Sequence, residues 1–234
     1  MLKRSFDLVS SFLGLLITSP ITLTAAFLVW LQDFKSPFYI APRVGKSGKI
    51  FKMVKLRSMV VNADKTGVAS TSSNDMRITP IGKFIRKFKL DELVQLYNVL
   101  KGDMSLVGPR PNVKEKGTDL YTEREKKLLT VRPGITDLAS IVFADEGSIL
   151  ANSTDPDKDY DQLIRPWKSR LALVYVEHSN IILDVKIIYL TLLTIISREQ
   201  ALRGVHNILK GIHVEASVRE IVLRKAPLTP SSPP

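Results

Sequence analysis

The sequence predicts a mixed α/β fold of monotopic membrane type. It would have an N-terminal re-entrant helix-break-helix hairpin, a small globular domain and amphipathic helices lying along the interface. Three observations predict this class. Residues 8–32 carry no charge, Ser19-Pro20 interrupts that run in its middle, and cations crowd both of its flanks. A continuous helix over the run would be roughly 36 Å long, enough for the ~30 Å hydrocarbon core of a bilayer. Lys3 and Arg4 precede it, however, and residues 34–61 hold seven Lys or Arg and no acid. Both ends therefore favour the cytoplasmic side. Pro20 removes a backbone donor and crowds the preceding turn, while the Ser19 hydroxyl can bond to a freed carbonyl. A hairpin entering and leaving through one leaflet satisfies charge and proline together, with an ordinary kinked span as the alternative. A secretory signal is disfavoured, because Leu31-Gln32-Asp33 is no small-residue cleavage site.

The elements follow in order. Residues 37–44 and 49–57 read as two strands around Lys46-Ser47-Gly48, a basic hairpin. Residues 62–75 are rich in Ser and Thr and read as a flexible, lid-length loop. Thr79-Pro80 is an N-cap and first helical position for a short basic helix through Lys87. Asp91 can cap the next helix, which runs to about Lys101 and stops at Gly102. Thr122 and Glu125 form a capping-box pattern for a helix ending near Thr130, and Arg132-Pro133-Gly134 reads as a turn. Residues 148–161 are polar and acidic, a surface loop or short helix. Helices are expected over 165–177 and 181–197; the second has a charge-free core too short to span, so it lies in the interface or packs on the domain. The Pro/Ser-rich end, 227–234, is disordered by composition. The resulting division is 1–35 for the membrane hairpin, 36–200 for the cytoplasmic-face domain with its interfacial helices, and 201–234 for a C-terminal extension.

Composition bounds the function. A net charge of +11 requires an anionic partner, and nucleic acid, anionic lipid and phosphorylated small molecules all qualify. With no cysteine, thiol catalysis, disulfides and cysteine-ligated zinc are excluded. Three scattered histidines (His178, His206, His213) make no zinc site and are assigned no role.

The densest run of unusual residues is 77–110. Asp91-Glu92 follows Lys83, Arg86, Lys87 and Lys89, an acidic pair in a basic setting. Nearby cations keep a carboxylate ionised, which suits a nucleophile or a magnesium ligand, and they would also recruit a phosphate. The plainer reading is that Asp91 caps a helix and Glu92 favours its positive end. Arg110 lies between Pro109 and Pro111, a rigid setting for bidentate phosphate binding or for a surface ion pair; Arg132 has the same ambiguity.

Four segments, KRSFDLVSSFLGLLITSPI, RVGKSGKIFKMVKLRSM, DMRITPIGKFIRKFKLDELVQLYNVLKGDMSLVGPRP and VRPGIT, together resemble the bacterial sugar transferase family. These are the monotopic phosphoglycosyl transferases that initiate surface polysaccharides (exopolysaccharide, lipopolysaccharide, capsule) and glycoprotein glycans. The resemblance runs from residue 2 to about 197 and is to the small, catalytic-core form. It implies a location on the cytoplasmic face of the bacterial inner membrane, with Ser19-Pro20 as the re-entrant break. It also implies transfer of a sugar phosphate from a UDP-sugar to undecaprenyl phosphate, with release of UMP. Asp91 matches the family nucleophile, forming an aspartyl-phosphosugar intermediate, and Glu92 its acidic partner. Mg2+ would be held partly through Asp91; Arg86 and Arg110 match arginines around the donor phosphates. Lys55 and Arg57 belong to the basic KxRSM pattern, which could equally brace the membrane helix. Val94, Asp137, Ser140 and Ala172 depart from the family pattern; Val94 should affect helix geometry more than chemistry, and the identity of the sugar is not legible in the sequence. Downstream glycosyltransferases are further partners and nucleic acid is none.

Two other classes compete. A catalytically silent scaffold of a glycan assembly complex would not need an intact acidic pair. A basic interfacial protein binding nucleic acid or lipid by charge would show steep salt dependence and no requirement for Asp91.

Overall fold

One helix, α1 (Leu2–Leu31), carries the whole apolar N-terminal run in the computed structural model, which describes residues 2–66, 70–115 and 117–234. The expected helix-break-helix is thus a single helix with Pro20 inside it. The reason is local. Pro20 can give no hydrogen bond to the Leu16 carbonyl, and the Ser19 hydroxyl donates to that same oxygen at 2.8 Å. Thr18 and Thr24 similarly donate to Gly14 O and Pro20 O. The helix is inverted relative to one from a soluble protein. Its buried residues are the small or polar Asp7, Ser11, Thr22, Ala25, Ala26 and Val29, whereas Phe12, Leu16, Ile17, Ile21, Leu23 and Phe27 are exposed.

Both ends of α1 are tied to the same domain. At its start, Lys3 Nζ bonds Asp184 (2.5 Å), Tyr175 OH and Val107 O (both 3.1 Å). Arg4 donates to the Val99 and Leu100 carbonyls, and buried Asp7 accepts from Ser105 Oγ and Leu106 N. Beyond its end, Arg57 holds both oxygens of Asp33 at 2.6 and 2.7 Å and donates to Ser36 O at 2.8 Å.

The expected hairpin is present as β1 (Phe38–Val44) and β2 (Ile50–Leu56), antiparallel with Tyr39 opposite Lys55 and Arg43 opposite Phe51. Next come α2 (Pro80–Lys87), α3 (Leu90–Leu93) and α4 (Leu96–Lys101). Thr79 Oγ1 accepts from Gly82 N as the cap of α2, and Gly102 at φ 97° ends α4. Two short parallel strands follow, β3 (Ser105–Val107) and β4 (Gly134–Thr136). Arg132-Pro133-Gly134 is therefore not a turn: Gly134 begins β4, paired with Ser105, and must be glycine because a Cβ there would sit 2.1 Å from the Gly108 nitrogen. The capping box is formed as expected, Thr122 N to Glu125 Oε2 and Glu125 N to Thr122 Oγ1, although residues 125–130 wind as a 3-10 helix.

Small helices α5 (Leu138–Val142), α6 (Glu146–Ile149) and α7 (Pro156–Asp159) lead into α8 (Arg165–His178), α9 (Ile181–Ile196), α10 (Arg198–Gly211) and α11 (Ala216–Val222). The boundary expected at residue 200 falls inside α10. Leu202, Val205 and Leu209 of that helix share one core with Leu138, Ile141, Leu171 and Ile187. α9 buries Leu183, Ile187 and Leu190 and leaves Ile182, Val185, Tyr189, Leu192 and Ile196 exposed. The tail expected to be disordered takes no regular structure, yet its backbone is fixed on the domain. Ser231 N donates to Gln162 O, and the Ser232 carbonyl accepts from Arg170. The lid-length segment 62–75 holds a 3-10 turn, Ala63–Thr66, with 67–69 outside the described residues. Its far side is pinned by Ser70 N to Asp157 and Ser73 N to Gly147 O.

Candidate active site

Alternation along the hairpin puts Tyr39 and Arg43 of β1 on the same face as Lys55 of β2. Phe51 and Met53 of that face pack on Val99 and Met104, so Lys55, next in the series, reaches past them toward α3. Between α2 and α3 the chain turns sharply at Lys89, a non-glycine residue at φ 54°, ψ 29°. Lys89 is itself the cap residue of α3, which places Asp91 and Glu92 inside its first turn. Asp91 is therefore not the helix cap that its sequence position suggested.

Asp91 lines an open cavity of about 940 Å³ together with Tyr39, Arg43, Lys55, Arg77 and Arg86. Among the described residues, the Asp91 carboxylate has no hydrogen-bond or ion-pair partner. Glu92 differs, since it accepts a hydrogen bond from Arg110 Nη2. The other Arg110 amino group donates to Ile135 O at 3.3 Å.

The two carboxyls are driven apart electrostatically. Burial and the neighbouring Glu92 charge push Asp91 up, against the pull of Lys55, Arg110 and Arg86. The sequence-level expectation that the surrounding cations dominate is thus reversed, because desolvation is the larger effect. For Glu92, burial also acts upward, but Arg110, Lys55, the Arg110 hydrogen bond and Lys89 together outweigh it and hold the group at about 2. Burial lowers Lys55, Lys89 and Arg43.

Five of the expected site residues share one neighbourhood: Lys55, Arg86, Asp91, Glu92 and Arg110. Arg57 touches the same cavity but its guanidinium is consumed by Asp33 and Ser36 O, so it braces the end of α1. Arg132 is not brought in; its Nε donates to Gly102 O at 2.9 Å on the exposed end of α4. Ser19 and Pro20 lie within α1. Two residues were missed. Arg43 was findable from hairpin register with Lys55, and Lys89 was counted only in the basic background although it borders the acidic pair.

No cluster of three or more His, Cys, Asp or Glu suited to a metal occurs among the described residues. One unpartnered carboxylate at a cation-rich cavity still fits magnesium, which binds through one or two carboxylates plus substrate phosphates and retains water.

The model of the family described as bacterial sugar transferase matches residues 1–198. Among curated proteins, the chain is 33% identical over 202 residues to UDP-N-acetylgalactosamine-undecaprenyl-phosphate N-acetylgalactosaminephosphotransferase of Aeromonas hydrophila, covering 84% of this chain and 44% of the relative. It is 35% identical over 215 residues to undecaprenyl-phosphate galactose phosphotransferase of Salmonella typhimurium, covering 86% and 41%. Exopolysaccharide production protein PSS of Rhizobium leguminosarum is 38% identical over 207 residues, covering 84% and 96%. The chain thus spans less than half the length of the first two.

Proposed function

The chain belongs to the bacterial sugar transferase family, and from that premise we propose that it is a phosphoglycosyl transferase. It transfers a sugar phosphate from a UDP-sugar to undecaprenyl phosphate, releases UMP and initiates surface polysaccharide or glycoconjugate synthesis. The names of the relatives support the acceptor and the reaction class.

The observation that carries this reading is the division of labour within the acidic pair: Glu92 is committed to Arg110, while Asp91 faces the cavity without a partner. An unpartnered carboxylate beside Lys55 and Arg86 suits a nucleophile whose substrate is a diphosphate. An Asp91 oxygen attacks the sugar-linked phosphorus, and the bond from that phosphorus to the oxygen of UMP breaks. The aspartyl-phosphosugar that remains is attacked at the same phosphorus by an oxygen of the lipid phosphate. The acyl-phosphate bond then breaks and the Asp91 carboxylate is regenerated. Covalent catalysis splits the transfer between a water-soluble donor and a lipid acceptor into two steps. Lys55, Arg43 and Arg86 neutralise the donor phosphates, and Glu92, fixed by Arg110, positions the acceptor phosphate. Magnesium, held from the protein by Asp91, would supply further neutralisation of the diphosphate.

The membrane placement is part of the same proposal: monotopic, on the cytoplasmic leaflet, with α1 as a re-entrant element. It is supported by the outward-facing apolar residues of α1 and by the ties from both its ends to one domain. A span would carry one end away from that domain. The exposed apolar face of α9 supports an interfacial helix beside it.

The test is release of UMP by purified protein in detergent or lipid, with magnesium, undecaprenyl phosphate and a panel of UDP-sugars. Labelled UMP is followed into UDP-sugar without acceptor. Exchange without acceptor is expected of a covalent intermediate, and turnover with no such exchange would overturn the two-step course.

A further inference from the structure

Lys89 combines three features that the reaction as described leaves unused. Its backbone sits at φ 54°, ψ 29°, where glycine fits without a steric penalty, yet the chain has a long cationic side chain there. Its half-buried ammonium acts electrostatically on Glu92, Arg110, Asp91 and Asp137, with no hydrogen bond or ion pair of its own among the described residues. Its neighbouring anions are largely committed: Glu92 to Arg110, and Asp137 to the Ser140 nitrogen that it caps at 2.6 Å.

The position of Lys89 separates it from the donor side. The cavity that holds Asp91, Lys55 and Arg86 does not include Lys89 in its lining. Just before Lys89 in the chain, Phe84 and Phe88 are 58% and 40% exposed and do not line that cavity; their ring centroids are 4.8 Å apart and Lys87 lies over the Phe88 ring. A cation beside the acidic pair, directly following an exposed aromatic pair in the chain, matches a ligand with a phosphate head and a hydrocarbon tail.

We propose that Lys89 binds the phosphate monoester of the lipid acceptor while the first part of its chain lies over Phe84 and Phe88. The site then has two phosphate-binding sides that meet at Asp91, the cavity for the donor and Lys89 for the acceptor. This rests on the phosphoglycosyl transfer proposed above.

The experiment compares wild type with Lys89→Gly, which keeps the left-handed backbone, and Lys89→Arg, which keeps the charge. For Lys89→Gly, KM for undecaprenyl phosphate is expected to rise about tenfold, the loss of one charge-assisted contact, with donor KM moving by less than about threefold. Lys89→Arg is expected to recover most of the difference. An unchanged acceptor KM, or equal rises in both, would overturn the assignment. Binding of undecaprenyl phosphate in neutral phosphatidylcholine nanodiscs, with inorganic phosphate as competitor, is measured alongside. Equal affinity of wild type and Lys89→Gly there overturns the role of Lys89, whereas inactivity of wild type with every donor counts against the transfer reaction itself.

Discussion

Arg110 donates a hydrogen bond to Glu92 across eighteen residues of sequence, and the charge of that guanidinium, with Lys55 and the bond itself adding to it, keeps Glu92 the more firmly ionised carboxylate of the acidic pair. The consequence is asymmetry between adjacent residues. Glu92 is a fixed anion, while Asp91 pays for burial beside it.

Replacing Arg110 with Ala removes the strongest cation acting on Glu92. Glu92 is held at about 2 in the native protein, and without Arg110 its burial should raise it. If transfer requires an ionised Glu92, the acid limb of the pH–rate profile for UMP release moves to higher pH, and turnover at neutral pH falls by about a hundredfold. An unshifted limb would show that Glu92 charge is not required.

Asp91→Asn is expected to abolish turnover, by at least about a thousandfold, and yet to raise thermal stability. The sign follows from the upward shift of Asp91. Its ionised form is disfavoured by folding, so the cost is present above the folded pKa and vanishes below the ordinary carboxylate range. At neutral pH the variant should melt at a higher temperature than wild type, read by thermal denaturation of the two proteins side by side. The gain should shrink as pH falls and wild-type Asp91 protonates, and be gone below the ordinary carboxylate range. Retained turnover in a clean preparation would remove Asp91 as nucleophile.

Asp33→Asn tests the brace that ends α1. Asp33 is lowered chiefly by its hydrogen bonds from Arg57, so its stabilising contribution is present above the ordinary carboxylate value and is lost as pH falls through the folded pKa. The variant should melt at a lower temperature at neutral pH and lose that deficit in acid. Its donor KM should match wild type, because Asp33 does not line the cavity. A large rise in donor KM would return Arg57 to the substrate.

Much of this was legible in the sequence where local chemistry dominates. Thr79-Pro80, Gly102 and the Thr122/Glu125 box each act within a turn of chain, and each forms as read. The hairpin was legible from its alternation, and Asp91-Glu92 from its unusual setting. What the sequence left open or misread depended on partners distant along the chain. The sequence left Arg57 open between a phosphate ligand and a brace for the membrane helix, and only the distant Asp33 turns it to the brace; Arg132 was equally open until its Nε met Gly102 O. Gly134 looked like turn chemistry, but its requirement is the close approach of Gly108 in a parallel strand pair. The direction of Asp91 was misjudged because cations are visible in a sequence and burial is not. The Pro/Ser tail was misjudged because its anchors, Gln162 and Arg170, lie far back along the chain.

The ties at the two ends of α1 bear directly on its topology. Pro20 removes one bond from the helix, but the Ser19 hydroxyl occupies the freed Leu16 carbonyl, so the ladder on either side is preserved. Lys3 on Asp184 and Arg57 on Asp33 hold both ends without reference to Pro20. Pro20→Ala alone is therefore expected to leave both ends on one side of the membrane. The absence of cysteine makes the measurement clean: single cysteines introduced at positions 2 and 35 can be labelled in sealed vesicles with an impermeant maleimide. Equal labelling from the cytoplasmic side in wild type and variant supports the anchored arrangement. Labelling of position 2 from the opposite side in Pro20→Ala would mean that the helix spans once the proline is gone, and that the contacts of Lys3 are too weak to oppose it.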